Sequence, residues 1–279
     1  MNLKNIKYLI ICLCITIFHS LMYGASHYVS VSGDNNNDGL SLQTPWQDIG
    51  FALENISPYS GDTLIILPGT YDINSTIEVP VGINVLGGGT SPEETILFSH
   101  SEIELMVQLK GEGTGEDENL SGYIDGNQFV KNLTIDGDGK ASKGIFVNGR
   151  NNVRLLDLVV QNCLDTGIGI LAKGPSSSNG FDSDKITGCE IGFCKVYESA
   201  RLIPGGEIYT SNIIVAGWKG GSVHDCEVRD VEGGNLLCGI GLEIMGTLYT
   251  RFYNNDIFIN TYIDGHNDIN RWPAFAVLS

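Results

Sequence analysis

The stretch from Val130 to Glu243 repeats one short pattern, and this repetition limits the fold more than any other feature of the chain. Asn132-Leu-Thr-Ile135, Asp157-Leu-Val-Val160, Gly188-Cys-Glu-Ile191 and Asp225-Cys-Glu-Val228 each place a small or Asx residue before apolar, variable and apolar positions. Asn255-Asp-Ile-Phe258 is a weaker fifth copy. An apolar residue stands two places before each marker: Val130, Leu155, Ile186, Val223 and Tyr253. A second element recurs between copies, as Gly144-Ile-Phe-Val147, Gly167-Ile-Gly-Ile170, Asn212-Ile-Ile-Val215 and Gly241-Leu-Glu-Ile244. From its end to the next marker the chain runs 10 residues (147 to 157, 215 to 225) or 11 (244 to 255). The longer step from 170 to 188 reads as an insertion.

A unit of roughly 23–25 residues made of short alternating strands cannot bury its inner face alone, so copies must stack. Strands of three or four residues divided by Gly, Asn and Asp turns predict an all-β right-handed parallel β-helix. On these residues the chain resembles the pectate-lyase-like β-helix superfamily. The resemblance implies three short strands per coil and a stacked asparagine ladder at the tight turn between the second and third. Asn132, Asp157, Asp225 and Asn255 fall where that ladder belongs, and Gly188 departs from it. The series Tyr28-Val-Ser, Asn37-Asp-Gly, Thr44-Pro-Trp, Gly61-Asp-Thr and Pro68-Gly-Thr-Tyr71 is similar to the opening of secreted bacterial β-helix proteins.

Lys4 and Lys7, the apolar run Leu9–Phe18 and the small residues Gly24-Ala-Ser26 read as a secretory signal over residues 1–26. That run is too short to span a bilayer. The expected location is therefore secreted or periplasmic, with no membrane association after cleavage, and residues 27–279 form one domain. The formal net charge is −17, and the leader holds two lysines and no acids, so the remainder is more acidic still. Such a chain has no counterion release to gain from nucleic acid. Thirty-six glycines without a Gly-X-Y period suit a fold that turns every few residues. Cys189 and Cys226 share one phase of the repeat and Cys163 and Cys194 another, which predicts stacked buried thiols ahead of disulfides.

Thr44-Pro45-Trp46-Gln47 reads as a helix start with a Thr cap, and Trp46, Ile49, Leu53 and Ile56 follow at helical spacing. A short amphipathic N-terminal helix would cap the first coil. Gly33–Gly39 imitates the start of an EF-hand loop but has Pro45 at its twelfth position, so an Asx-rich turn is expected. At the other end Ala274–Ser279 has the pattern of a new first strand with nothing after it. The β-helix is expected to be incomplete there, or to associate end to end with another chain.

In the superfamily, substrate lies on the outer face of the first strand of each coil. By the resemblance, Phe146, Gly169, Ile214 and Glu243 form that floor, between insertions at Leu171–Asp184, Lys195–Ser211 and Arg229–Cys238. Loops on a rigid scaffold commonly carry function. A lyase on an acidic glycan needs a base for the proton α to a uronate carboxylate, and cations or Ca²⁺ to neutralise that carboxylate. Lys195 or Arg201 is the candidate base, with Glu243 as the floor's carboxylate and Lys173 and Arg229 as substrate contacts. Asp182, Asp184 and Glu207 are the candidate calcium ligands. Glu190 and Glu227, at equal phase, would stand about 4.8 Å apart on the third strand. The expected function is cleavage of an acidic polysaccharide, with glycoside hydrolysis and non-catalytic glycan binding as alternatives.

Overall fold

The structure, a computed structural model, describes residues 24–111, 124–172, 186–200, 211–229, 240–258 and 275–278. Three parallel faces wind around one apolar core. Face 1 is a seven-stranded sheet: Ile77–Glu78, Leu105–Lys110, Lys143–Asn148, Thr166–Leu171, Ser211–Ala216, Ile240–Met245 and Phe275–Leu278. Face 2 includes Ser26–Val29, Thr63–Ile66, Asn84–Gly87, Glu190–Gly192, Ser222–His224 and Arg251–Tyr253. Face 3 includes Gly69–Asp72, Thr95–Phe98, Lys195–Tyr197, Glu227–Arg229 and Asp256–Phe258. Two long strands, Ile124–Asp136 and Arg150–Gln161, run through the corner between faces 2 and 3 and join them into one sheet.

Strand alternation sends every second side chain inward. On face 1, Ile145, Ile168, Ile213 and Leu242 align in register, as do Val147, Ile170, Val215 and Ile244, and all are buried. This is the register read from the sequence. Leu64, Ile66, Leu133, Ile135, Leu155, Leu158 and Ile191 supply the other walls of the same core.

Each coil turns at left-handed residues on either side of face 2. Gly188, Gly220 and Tyr249 mark the entry, with φ of 68°, 75° and 56°. Asn132, Asp157, Phe193, Asp225 and Asn254 mark the corner into face 3, with φ between 49° and 59°. Asn and Asp tolerate this conformation because their short side chains bond locally. Here Asn132 Nδ2 donates to the carbonyls of Gly87 and Gly89 at 2.9 and 2.8 Å, and Asn254 Nδ2 to Asp225 Oδ1 at 3.2 Å.

Two ladder positions therefore differ from expectation: the third of these coils turns at Phe193, not Gly188, and the last at Asn254, not Asn255. Gly188 enters face 2 one strand earlier. The consequence reaches the cysteines, because Lys195 pairs with Glu227 and so sets Cys194 beside Cys226. Cys189 instead lies next to Gly221, and Cys163 next to Ser199. All four thiols are buried and unbridged. Burial pushes the Cys189 thiol up to about 12 and Cys194 well above its ordinary range. The same shift separates Glu190, on face 2, from Glu227, on face 3.

The N-terminal helix is α1, Ile49–Asn55, and its buried Ile49, Ala52 and Leu53 cover the first coil. Its cap is Asp48, whose carboxylate accepts from Phe51 N at 2.6 Å, rather than Thr44. Thr44 Oγ1 donates to Asp38 Oδ1, while Trp46 pairs in parallel with Val29 and stacks on His27 at 5.5 Å. Engaging Trp46 with the strand edge delays the helix to Asp48. The Gly33–Gly39 segment makes Asx turns, with Asn36 N on Asp34 Oδ1 and Leu40 N on Asp38 Oδ1. Phe275–Leu278 adds a face-1 strand beside Leu242–Met245. Residues 1–23, which hold most of the expected leader, and the segment 259–274 lie outside the described residues.

Candidate functional site

The outward row of face 1 runs Glu78, Gln108, Phe146, Gly169, Ile214, Glu243, one residue per coil. Register thus joins the four expected floor residues to two that composition did not reveal. The middle of the row is closed. Phe146 is only 6 % exposed and clusters with Leu105, Leu171 and Ala216, against which Ile214 and Met245 pack. A Cβ on Gly169 would come within 2.6 Å of the Phe146 ring, so glycine is what lets that ring lie across the strand.

Toward the N-terminal end the row opens into a cavity of about 1010 Å³ between α1, the turn 70–80 and the strands carrying Glu78, Gln108 and Lys110. Its wall holds Asp48, Glu54, Asp72 and Glu78 along with Lys110 and Arg150. Lys110 Nζ pairs with Glu78 Oε1 at 2.6 Å on the outside. Arg150 is buried: its Nε donates to the Lys110 carbonyl at 2.6 Å, and Nη1 to the Val79 carbonyl at 2.8 Å and Gln128 Oε1 at 3.1 Å. Among the described residues no carboxylate forms an ion pair with it. Burial lowers its pKa to about 10, which still leaves it cationic at neutral pH. Its hydrogen bonds among the described residues go to neutral acceptors, and the nearby Glu78 carboxylate favours its charge without bonding it.

The opposite end of the row holds Glu243, 4 % exposed and hydrogen-bonded by Ser211 Oγ. Burial raises its pKa, although the Ser211 bond works the other way. Next to these strands Asn212 Nδ2 reaches the Ile240 carbonyl at 3.4 Å, while its buried Oδ1 has no partner. At the edge where the chain enters face 1, Lys143 Nζ pairs with Glu104 and lies 3.7 Å from Asp165 Oδ2. Burial disfavours the Lys143 charge, but the two carboxylates outweigh it and hold its pKa up. Burial raises the Asp165 carboxyl too, in spite of Lys143 beside it.

Not all the expected site residues share this surface. Lys195 and Arg229 are strand residues of face 3, not members of insertions. Lys195 Nζ stands 4.0 Å from Glu93, and Arg229 pairs with Glu227 and packs its guanidinium 4.9 Å from the Phe258 ring. Lys195 is therefore on a different face from Glu243. Lys173, Asp182, Asp184, Arg201 and Glu207 lie outside the described residues. Among the described residues no group of three or more His, Cys, Asp or Glu could hold a metal ion, so no calcium-dependent step is derived. Of the five basic residues from Lys131 to Arg154, Lys131 pairs with Asp157, Lys140 with Asp138 and Lys143 with Glu104, and Arg150 lines the cavity.

No protein-family model matches the chain, and no curated protein sequence does. Solved structures do. A candidate glycosyl hydrolase from Parabacteroides merdae ATCC 43184 superposes with a TM-score of 0.52 at 15% identity, over 82% of this chain and 94% of that one. The catalytic domain of a GH87 α-1,3-glucanase gives 0.44 at 13% identity, over 75% of this chain and 36% of that one. An alginate lyase from Paenibacillus sp. gives 0.42 at 14% identity, over 74% and 72%. At such identities the likeness is one of fold. The chain folds as a right-handed parallel β-helix.

Proposed function

We propose that this is an exported carbohydrate-active β-helix protein that binds an acidic polysaccharide along face 1 and cleaves it by β-elimination. One observation carries the reading: Arg150, buried and without a carboxylate ion pair among the described residues, lies with Lys110 on the wall of the cavity that continues the face-1 row. A uronate carboxylate would give Arg150 a charged acceptor in place of the neutral ones that the described residues supply. Neutralising it also acidifies the adjacent C–H, which is what elimination requires. The base removes that proton, the electrons form a C=C bond, and the glycosidic C–O bond to the neighbouring sugar breaks. The departing oxygen then needs a proton.

Glu243 stands four coils from Gln108, roughly 19 Å, so it does not protonate the leaving oxygen of a sugar held at Arg150. Arg201 remains the candidate base of this reading and lies outside the described residues. Lys173, in the segment following Leu171, provides a further substrate contact. Lys195 has no part in it, since it sits on face 3. The second reading, non-catalytic glycan binding, draws on the closed floor, where Phe146 covers Gly169 and the described residues hold no acid–base pair.

The test incubates the purified chain with polygalacturonate, alginate and hyaluronan. Ultraviolet absorbance from unsaturated uronate ends is the expected result, with Lys110→Ala weakening binding severalfold. Reducing ends without that absorbance would mean hydrolysis. Retention without any product favours the binding reading, and failure to retain any acidic glycan overturns both.

A further inference from the structure

A second constellation lies away from face 1, where face 2 turns into face 3 in the last described coils. The row Gly192, His224, Tyr253 places one residue in each successive coil, about 4.8 Å apart. His224 is buried between two carboxylates, with Nδ1 2.8 Å from Asp225 Oδ2 and Nε2 2.9 Å from Glu190 Oε1. Its ring stacks parallel to Tyr253 at 5.0 Å and meets the edge of Phe193 at 5.2 Å. A Cβ on Gly192 would come 2.7 Å from His224 Cε1, so the glycine makes room for the imidazole. Burial opposes the His224 charge, but both carboxylates favour it and raise its pKa.

The two flanking rings remain in solvent: Phe193 is 53 % exposed and Tyr253 42 %. Phe193 also occupies the left-handed corner that Asn132, Asp157, Asp225 and Asn254 fill in the other coils. A bulky residue is a steric outlier there, and an apolar ring gains nothing from exposure. Tyr249, at φ 56° and 85 % exposed, repeats this choice at the entry to face 2. Strain combined with exposure at aromatic positions marks a retained surface rather than a packing solution. The charges around it balance, since Arg154 and Arg251 share the neighbouring row with Glu190, and Asp225 stands at the corner.

We infer that Phe193 and Tyr253, with Glu190 and Asp225 between them, form a second carbohydrate site on the face 2–3 corner, for a neutral glycan. Exposed aromatic rings offer stacking area to the C–H face of a pyranose, and paired carboxylates accept hydrogen bonds from its hydroxyls. The rings stand two coils apart, roughly 10 Å, a span on the order of two sugar units. The absence of excess positive charge disfavours the uronate chains proposed for face 1. This site stands whether or not face 1 cleaves anything.

The experiment titrates the full chain with cello-, xylo- and N-acetylchito-oligosaccharides by calorimetry, with polygalacturonate as the acidic control. Wild type should bind at least one neutral series. Phe193→Asn removes the ring and restores the residue type of the other corners. It should weaken that binding at least tenfold, while the melting temperature stays level or rises. Tyr253→Val should weaken it too, and Lys110→Ala should leave it unchanged. The inference is overturned if no neutral series binds, if Phe193→Asn binds normally, or if Phe193→Asn loses both binding and thermal stability, which would make the ring structural.

Discussion

Face 1 and the face 2–3 corner are built from the same coils but solve opposite problems. From Asn132 onward the described corner is uniform: one left-handed residue per coil, with Lys195–Tyr197, Glu227–Arg229 and Asp256–Phe258 in strict register beyond it. Face 1 is uniform only inside. Its outward row changes from charged to apolar to carboxylic along the axis, and the long connections of the chain flank it on both sides. The difference teaches that regularity and variability are assigned to separate parts of the coil. The corner keeps the pitch, so that face 1 can vary its surface without losing register.

The contrast breaks most sharply at two glycines. A Cβ on Gly87, at the corner, would fall 1.8 Å from the carbonyl oxygen of Asn132, backbone that cannot move without parting the strands. Gly87→Ala should cost more than about 4 kcal/mol, in the range of exceptional substitutions. Gly169→Ala meets only the end of the Phe146 side chain, so its cost should be smaller, about 1–3 kcal/mol. Chemical denaturation of both variants checks the order, and a larger loss at Gly169 would reverse the assignment of roles.

Next in size is Arg150→Leu, which strands the acceptors at Val79, Lys110 and Gln128. A loss of about 2–3 kcal/mol is expected, together with loss of acidic-glycan retention. Glu243→Gln works in the other direction. Its raised pKa makes the folded state favour the protonated form. That contribution is fully present below the unfolded value of about 4.3 and is lost as pH rises through the folded value. The variant should therefore melt higher than wild type at neutral pH and equal to it near pH 4. A pH series of melting temperatures decides this, and a parallel offset at every pH would count against a titrating Glu243. Smallest of all is Lys195→Ala, expected within about 0.5 kcal/mol because its ion pair is long and exposed. It should leave glycan turnover untouched, whereas a large loss of turnover would bring face 3 into the active surface.

Face 1 was legible in the sequence because glycine or asparagine followed by alternating apolar residues recurs at its strands, and the inward rows followed at once. The third corner, at Phe193, was not. Gly188-Cys-Glu-Ile191 and Phe193-Cys-Lys-Val196 have the same pattern five residues apart, and only the first begins with a residue suited to a left-handed turn. The intuitive choice failed because Phe193 is the strained one. Lys195 was read as a loop residue for the same reason, since its strand is only three residues long. Arg150 was visible as a charge but not as a site residue. Its importance depends on carbonyls 40 and 71 residues away, and only the winding of the chain brings these together.

Those same sequence separations bear on how the molecule comes apart. Most strands find their partner in the adjacent coil, so winding can proceed from one end without waiting for remote segments. Arg150 is an exception, since its guanidinium joins Val79, Lys110 and Gln128 and closes only when the strands bearing all three are already stacked. An interaction formed that late is absent from the folding transition state and acts as a latch on the finished structure. Arg150 should thus govern the lifetime of the wound state more than the speed of winding. In rate measurements on Arg150→Leu, the unfolding limb should shift upward with the folding limb nearly in place, and an equal slowing of folding would show that the latch closes early.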